Sequence, residues 1–451
     1  MEFAGKKVLV FGTGISGIAA AKLLENVGAA VVLFDGNQEL DKKHVLENFE
    51  ADHMPELYVG ELPEEVRAGL DLVVLSPGVP TDLPFVNELR DAGLPIWGEI
   101  ELAYRCKKGD VLAITGTNGK TTTTALLGEI MKTTYPQVHV VGNIGIPYTG
   151  LVAEDTDDTV TVAEISSFQL ETIDTFCPEV SAILNITPDH LNRHHTMDNY
   201  IAAKMSIAKN QGPEQTCVLN YEDEVLREQA KHLSAKVVFF SSLSKLEEGF
   251  YLEGDKIVYA HDGQIEEIIS TDELNILGRH NHENAMAATA MAMSYGVPVE
   301  HIRQALRTFQ AVEHRIEYVT EKRGVRFYND SKGTNPDAAI KGIQAMDRPT
   351  CLIGGGYDKG SEYTEWINSF DGKVKKLVLI GQTREKIAEE AEKCGFYDYV
   401  FADSLQEAVD ICYENAENGD AVLLSPACAS WGMFPNYEVR GEEFKKYVNA
   451  L

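Results

Sequence analysis

The chain has 451 residues, enough for about three domains and too long for one apolar core, which stops growing near ~250–300 residues. Its composition, 44% hydrophobic and 24% charged, excludes extended disorder, a collagen-like repeat and a small disulfide scaffold. With 40 Lys and Arg against 70 Asp and Glu, the net charge of −30 excludes general binding to nucleic acid or anionic membrane, but not a locally basic pocket for an anionic small molecule.

Lys7 to Phe11 reads as a buried strand, and Gly17 to Asn26 as a helix with Ile18, Ala21, Leu24 and Val27 on one face. Ala30 to Phe34 and Leu72 to Leu75 are further strands, and Ser76-Pro77-Gly78-Val79-Pro80 is a turn cluster. Between the first strand and helix lies Gly12-Thr13-Gly14-Ile15-Ser16-Gly17, a G-x-G-x-x-G turn, with Asp35 at the end of the next strand. Three readings fit this motif: a bound NAD, a structural glycine turn, or a nucleotide-diphosphate substrate held by the same geometry.

A second block opens with the strand Val111 to Thr115, which runs through Gly116-Thr117-Asn118-Gly119-Lys120-Thr121-Thr122 into a helix from about Thr121 to Met131. This is a phosphate loop: backbone N–H groups cradle phosphates, Lys120 reaches the β- and γ-phosphates and the Thr121 hydroxyl suits Mg²⁺. Ile114 stands where the full motif has its first glycine. An NAD dehydrogenase does not need this loop, so it points to ATP chemistry. The β-rich runs Thr159 to Ile165 and Val180 to Ile186 follow, and Glu164 ends the first of them, where an acid beside a phosphate loop suits Mg²⁺. His190 follows the second run and reads as a metal ligand through its neighbours, a support that His194 and His195 lack. Asp198 to Lys209 is helical, with Tyr200, Lys204 and Ile207 on one face. A lysine on a partly apolar face tends towards a lowered pKa, and a neutral amine can take up CO₂ as a carbamate; a snorkelling surface lysine fits the same pattern.

Phe250 to Ile269 alternates and carries Gly254-Asp255 and Asp262-Gly263, two hairpin turns. Asn281 to Tyr295 is an Ala- and Met-rich helix. A third block starts near Val312, with strands at Val325–Tyr328, Thr350–Ile353, Leu377–Ile380 and Ala421–Leu424 and helices between them. The fold class is therefore α/β in three domains: a Rossmann-like domain at 1–98, a central domain of P-loop ATPase type at 99–311 with a mixed sheet and a small β-meander, and a Rossmann-like domain at 312–451. The seven cysteines, odd in number and without Cys-x-x-Cys, read as reduced, buried thiols of a cytoplasmic protein. No stretch approaches a membrane span, and the short apolar run after Met1-Glu2 is no signal segment.

Together, Gly116–Thr122, Glu164-Ile-Ser-Ser-Phe-Gln169, Asn185-Ile-Thr-Pro-Asp-His190, Gly278-Arg-His-Asn-His-Glu-Asn284 and Ser76–Pro80 resemble the Mur ligase family of peptidoglycan precursor enzymes. Asn329-Asp-Ser-Lys-Gly-Thr-Asn335 and Ser425-Pro-Ala-Cys-Ala-Ser-Trp431 are similar to its D-glutamate-adding branch, and the Asp-Asn-Pro-Arg signature of the diamino-acid-adding branch is absent. The resemblance implies a monomeric, cytoplasmic, ADP-forming amide ligase that joins D-glutamate to UDP-N-acetylmuramoyl-L-alanine through an acyl phosphate. By the same resemblance the first domain binds UDP rather than NAD, through Gly14, Ile15, Ser16 and Asp35, with Asn143, Ser166 and Gln169 near the substrate. ATP falls to Gly116, Thr117, Asn118, Gly119, Lys120, Thr121 and Thr122, with Asn281, Asn284, Arg315 and Asp330 meeting adenine, phosphate and ribose. One Mg²⁺ belongs to Thr121 and Glu164, and a second to His190 and a carbamylated Lys204. Lys332, Thr334, Lys359, Ser430 and Tyr437 surround the incoming amino acid. A folylpolyglutamate synthase lacks the Gly12–Gly17 domain, and an NAD oxidoreductase leaves the phosphate loop unexplained.

Overall fold

The computed structural model describes residues 3–50, 53–143, 145–310 and 312–451, so Met1, Glu2 and the domain boundary at 311 lie outside the described residues. By packing, the chain forms two units, one of Met1–Ser270 with Glu283–Leu306 and one of Thr271–His282 with Arg307–Leu451.

The first unit holds two sheets. One has five parallel strands in the order Glu56–Val59, Ala30–Asp35, Lys7–Phe11, Leu72–Leu75 and Ile96–Gly98. Val8, Leu9 and Val10 are wholly buried, as a central parallel strand covered on both faces requires. The helix Ile15–Asn26 starts two residues before the predicted position, with Gly14 at its N-cap. Gly17 is there for close approach: a Cβ on it would stand 1.9 Å from the Gly12 carbonyl oxygen. Gly17→Ala is therefore expected to cost about 1–3 kcal/mol of stability, read as a lower urea midpoint; an unchanged midpoint would show that the turn opens freely.

The other sheet has nine strands in the order Gln264–Ser270, Lys256–His261, Gly249–Glu253, Lys236–Ser241, Thr216–Asn220, Val180–Ile183, Asp110–Thr115, Thr159–Glu164 and Gln137–Gly142. The first three form the antiparallel meander, which continues the sheet through a parallel pairing of Phe240 with Phe250. At its second turn Asp262 and Gly263 both take positive φ (50° and 71°), the signature of a type I′ hairpin. The strand Asp110–Thr115 lies between Thr159–Glu164 and Val180–Ile183, all parallel, so the loops leaving their carboxyl ends gather at one place. One apolar cluster runs through the unit from Leu24 and Trp97 to Ile165, Tyr200 and Leu219, which is why residues 1–98 pack with the central sheet rather than apart from it.

The second unit carries a six-stranded sheet in the order Glu317–Lys322, Val325–Asn329, Ala421–Leu424, Thr350–Gly356, Val374–Gly381 and Tyr399–Phe401, parallel except for the first pair. Apolar clusters cover both faces, one around Trp366 and Ile343, the other around Phe327, Val409 and Phe444.

All seven cysteines are free; Cys217, Cys351, Cys412 and Cys428 are buried, whereas Cys106, Cys177 and Cys394 are only half-buried, a correction to the expectation that all are core residues. Among the described residues no helix is long and apolar enough to cross a membrane.

Candidate active site

The phosphate loop is held open by glycine geometry and braced from the neighbouring strand. Gly119 takes φ 88° as N-cap of the helix Lys120–Lys132, and a Cβ there would lie 2.3 Å from Asn284 Oδ1. Asn118 N donates to Asn185 Oδ1 (2.8 Å) and Asn185 Nδ2 donates back to Asn118 O (3.1 Å). Thr117 Oγ1 donates to Thr187 O (3.1 Å) and lies 3.0 Å from the Tyr200 hydroxyl. Lys120 Nζ donates to the loop's own carbonyls, Gly116 O (2.8 Å) and Thr117 O (2.9 Å). Thr122 and Thr123 are buried, and Thr123 Oγ1 donates to Asn284 Oδ1 (3.3 Å), which brings the predicted adenine contact to the loop.

Lys204 sits under this loop. It is 2% exposed on the helix Met197–Met205, beside Tyr200 (1%) and near Ile207 (0%), so the predicted face is the buried one and the snorkelling alternative fails. Its Nζ donates to Gly116 O (2.8 Å) and stands 4.7 Å from the centre of the Tyr200 ring. Burial, reinforced by the nearby Lys120 charge, lowers its pKa from 10.5 to about 6. The shift favours the neutral amine over the ammonium.

Glu164 is 2% exposed at the carboxyl end of its strand. Asn143 Nδ2 donates to its Oε1 (3.0 Å) and Asn143 N to its carbonyl (2.8 Å), so these two predicted residues form one feature. Ser166 and Gln169 form a capping box for the short helix Ser167–Leu170: Ser166 N donates to Gln169 Oε1 (2.9 Å) and Gln169 N to Ser166 Oγ (3.3 Å). His190 has φ 52°, with its ring edge-on to Phe168 at 4.9 Å. Sequence reasoning passed over its neighbour His194, which is buried with Nε2 2.9 Å from Ser167 Oγ and Nδ1 3.3 Å from Glu171, and burial lowers its pKa. Arg193 was missed too. Its Nη2 donates to Glu171 Oε2 (2.7 Å) and to Val79 O (3.0 Å), in the turn cluster of the first sheet. Ser76, Pro77, Val79, Glu99, Gln169 and Arg193 line a cleft here. No local sequence signal marks Glu171 or Arg193.

At the first Gly-rich turn, Asp35 accepts from Thr13 Oγ1 (2.8 Å), Thr13 N (3.2 Å) and Asn37 N (3.0 Å). Ile15 is 74% exposed, an apolar side chain without cover at the helix start, and Ser16 is half-buried.

In the second unit Asp330 and Ser425 follow adjacent strands, and Ser425 Oγ donates to Asp330 Oδ2 (2.7 Å). Burial raises the Asp330 pKa to about 7. Arg315 Nε is buried without a hydrogen-bond partner among the described residues. Lys332 lies over the Tyr437 ring (5.6 Å) and Lys359 over the Trp431 ring (4.7 Å), while Ser430, next to Trp431 in sequence, is buried. Thr334 N donates to Lys332 O (2.8 Å), and Asn281 Nδ2 to Leu277 O (2.8 Å). Arg440, absent from the sequence-based set, is a buried cation that ties two of these loops together. Its Nε donates to Ser331 Oγ (2.9 Å), Nη2 to Ser331 O (2.8 Å) and Nη1 to Cys428 O (3.2 Å). Burial lowers its pKa to about 10.

Residues 6–98 match the Mur ligase MurD-like N-terminal domain, 114–292 the Mur ligase middle domain and 314–428 the Mur ligase glutamate ligase domain. A UDP-N-acetylmuramoylalanine–D-glutamate ligase of Lachnoclostridium phytofermentans is 57% identical over 100% of this chain and 99% of its own. The enzyme of the same name from Lachnospira eligens is 54% identical over the whole of both chains. Among solved structures, UDP-N-acetylmuramate-alanine ligase MurC of Thermotoga maritima shares the fold, at 20% identity and TM-score 0.59 over 99% of each chain. So does the MurF ligase of Thermotoga maritima in complex with ADP, at 16% identity and TM-score 0.58 over 100% of this chain and 96% of the other. The matched domains span most of the chain and the relatives run its full length: the protein belongs to the Mur ligase family.

Proposed function

We infer that the protein is an ATP-dependent amide ligase that adds D-glutamate to UDP-N-acetylmuramoyl-L-alanine, releasing ADP and phosphate, in peptidoglycan precursor synthesis. The observation that carries this reading is full-length identity of 57% to a ligase of that name. The phosphate loop, with Lys204 beneath it, supplies the chemistry.

A carboxylate is a poor acyl donor at neutral pH. Attack of the L-alanyl carboxylate on the γ-phosphorus forms an acyl phosphate and releases ADP. The D-glutamate amine then attacks the acyl carbon, and the tetrahedral intermediate expels phosphate. Two anions meet in the first step, so cationic groups at the phosphates govern its barrier. Lys120, whose ammonium donates to the Gly116 and Thr117 carbonyls of the loop, supports the role of a phosphate contact. Asn284, seated on Thr123, supports the role of an adenine contact, and Arg315 with Asp330 that of phosphate and ribose contacts. Exposed Ile15 and the Asp35 carboxylate support uridine binding at Gly14–Ser16, with Asn143, Ser166 and Gln169 further along the substrate. Lys332, Thr334, Lys359, Ser430 and Tyr437 are assigned to D-glutamate. The domains 1–98, 99–311 and 312–451 accordingly take the UDP-substrate, ATP and the amino acid.

The hydroxyl of Thr121 and the buried carboxylate of Glu164 are hard oxygen donors that fit Mg²⁺. His190 and Lys204 fit a second ion once Lys204 is a carbamate, for which its neutral amine is suited. Mg²⁺ held by these residues would supply positive charge to the phosphates. The enzyme is assigned to the cytoplasm as a monomer; the net charge of −30 supports the absence of nucleic-acid and anionic-membrane partners.

The test is phosphate release from ATP in a matrix of UDP-precursors and amino acids, with bicarbonate present. Release with UDP-N-acetylmuramoyl-L-alanine plus D-glutamate, and with no other pair, is expected. Release with a different pair overturns the substrate, and release with none overturns the ligase reading.

A further inference from the structure

The strands Thr350–Gly356 and Ala421–Leu424 are parallel neighbours, so the loops that follow them leave the same edge of the sheet. Tyr357 and Ala429 bridge the two loops, Tyr357 N donating to Ala429 O at 2.9 Å. Beyond the bridge the Trp431 indole meets the Tyr357 ring edge-on at 5.6 Å, and Lys359 Nζ stands 4.7 Å from the indole centre. Trp431 is 52% exposed and Tyr357 40%, so neither ring is there to fill a core. Asp358, next to Lys359 in sequence, is engaged elsewhere: it pairs with Lys386 (3.5 Å) and accepts from Gly360 N (2.7 Å). Among the described residues, Lys359 has an aromatic face and no carboxylate as its partner.

We propose that Trp431 is a positioning residue for the acidic amino acid: its indole holds the Lys359 ammonium in place, charged and with its N–H groups unspent, for a carboxylate of the incoming substrate. The proposal rests on the D-glutamate-adding reading and says how that site selects a dianion. An indole attracts a cation through the ring quadrupole, so it orients the lysine without neutralising it. A protein carboxylate in the same place would take up the charge and the donors that the substrate needs. The indole also restricts a long side chain before binding, which lowers the entropy lost when the ion pair with substrate forms. The same segment uses the device a second time: Tyr437 lies 5.6 Å beneath Lys332. Glutamate offers two carboxylates, and residues 430–437 supply an aromatic seat for two lysines.

The experiment is steady-state kinetics on the full-length enzyme with Trp431→Leu and Trp431→Phe, each substrate varied in turn. Both variants keep a half-exposed apolar group, and an unchanged thermal transition verifies their folding. Trp431→Leu is expected to raise KM for D-glutamate about two- to fivefold, the size of an exposed cation–π contact, while kcat and the KM for ATP stay at wild-type values. Trp431→Phe, which retains an aromatic face, recovers most of the loss. A wild-type KM for D-glutamate in Trp431→Leu overturns the proposal. So does a parallel rise in KM for D-glutamate and ATP, or a Phe variant as weak as the Leu variant. Failure of the wild-type enzyme itself to turn over D-glutamate would instead remove the ligase reading beneath it.

Discussion

Lys204→Ala is expected to lose turnover by about 10²–10³-fold, and millimolar formate or acetate to restore a measurable part of it. The amine lies under the phosphate loop at 2% exposure, with a pKa lowered to about 6. A neutral amine attacks the carbon of CO₂, loses a proton and becomes a carbamate, an anionic oxygen donor. In the alanine variant the space it leaves accepts a small carboxylate of the same charge. Lys204→Arg, charged at every accessible pH, gains nothing from added carboxylate. A fully active alanine variant would sink the carbamate role. The pH dependence has a definite sign. Below about pH 6 the amine is protonated and cannot take up CO₂, so turnover falls as pH drops through that value. Stability runs the same way. A folded-state pKa below the ordinary 10.5 means that the unfolded chain binds the extra proton between about 6 and 10.5, so this residue costs stability in that window and the cost fades as pH rises. In carbonate-free buffer Lys204→Met is therefore expected to have a higher urea midpoint than wild type at pH 7, with the gap closing towards pH 10.

The features of this site that could be read along the chain are those whose chemistry is local. A phosphate loop needs its glycines and lysine within a few residues, so Gly116–Thr122 announces itself, and the face Tyr200, Lys204, Ile207 is a helical period. Central strands such as Leu72–Leu75, wholly buried, read as apolar runs. Several strands that were not anticipated lack such a run: Glu56–Val59 and Tyr399–Phe401 are half-exposed edges, and Gln137–Gly142 is an edge that alternates. Thr216–Asn220 and Lys236–Ser241 are short strands in the interior of the nine-stranded sheet whose neighbours lie far along the chain or across a helix. The polar residues that were missed have distant partners as well. Arg440 meets Ser331 109 positions away, and Arg193 meets Val79 114 positions away. A lone arginine on a charged helix carries no mark of such a contact; only the fold supplies it.

Glu101 makes the same point with a larger energy. It is 0% exposed in the helix Glu99–Cys106, yet it accepts from Asp174 N (2.8 Å), Thr175 N (2.9 Å), Thr175 Oγ1 (2.6 Å), Phe176 N (3.0 Å) and Arg105 Nε (2.8 Å). Burial alone would raise its pKa; the donors reverse that and hold it below the ordinary 4.5. This one carboxylate satisfies the backbone of the segment that follows Glu171, the residue paired with both Arg193 and His194. Glu101→Leu strands those donors and leaves Arg105 short of an acceptor, so a loss of about 3–5 kcal/mol is expected. Glu101→Gln keeps the shape but turns an NH₂ towards donors, at about 1–3 kcal/mol. Because the folded pKa is depressed, the carboxylate's contribution is complete above the ordinary 4.5 and disappears as pH falls through the folded value. Urea unfolding of wild type and Glu101→Leu should therefore differ most near neutrality and converge in acid. Trp97, whose ring lies 4.5 Å from the Arg105 guanidinium, reports the local transition by fluorescence. A gap that is the same at pH 7 and in acid would mean that lost packing, and not the ionised carboxylate, carries the effect.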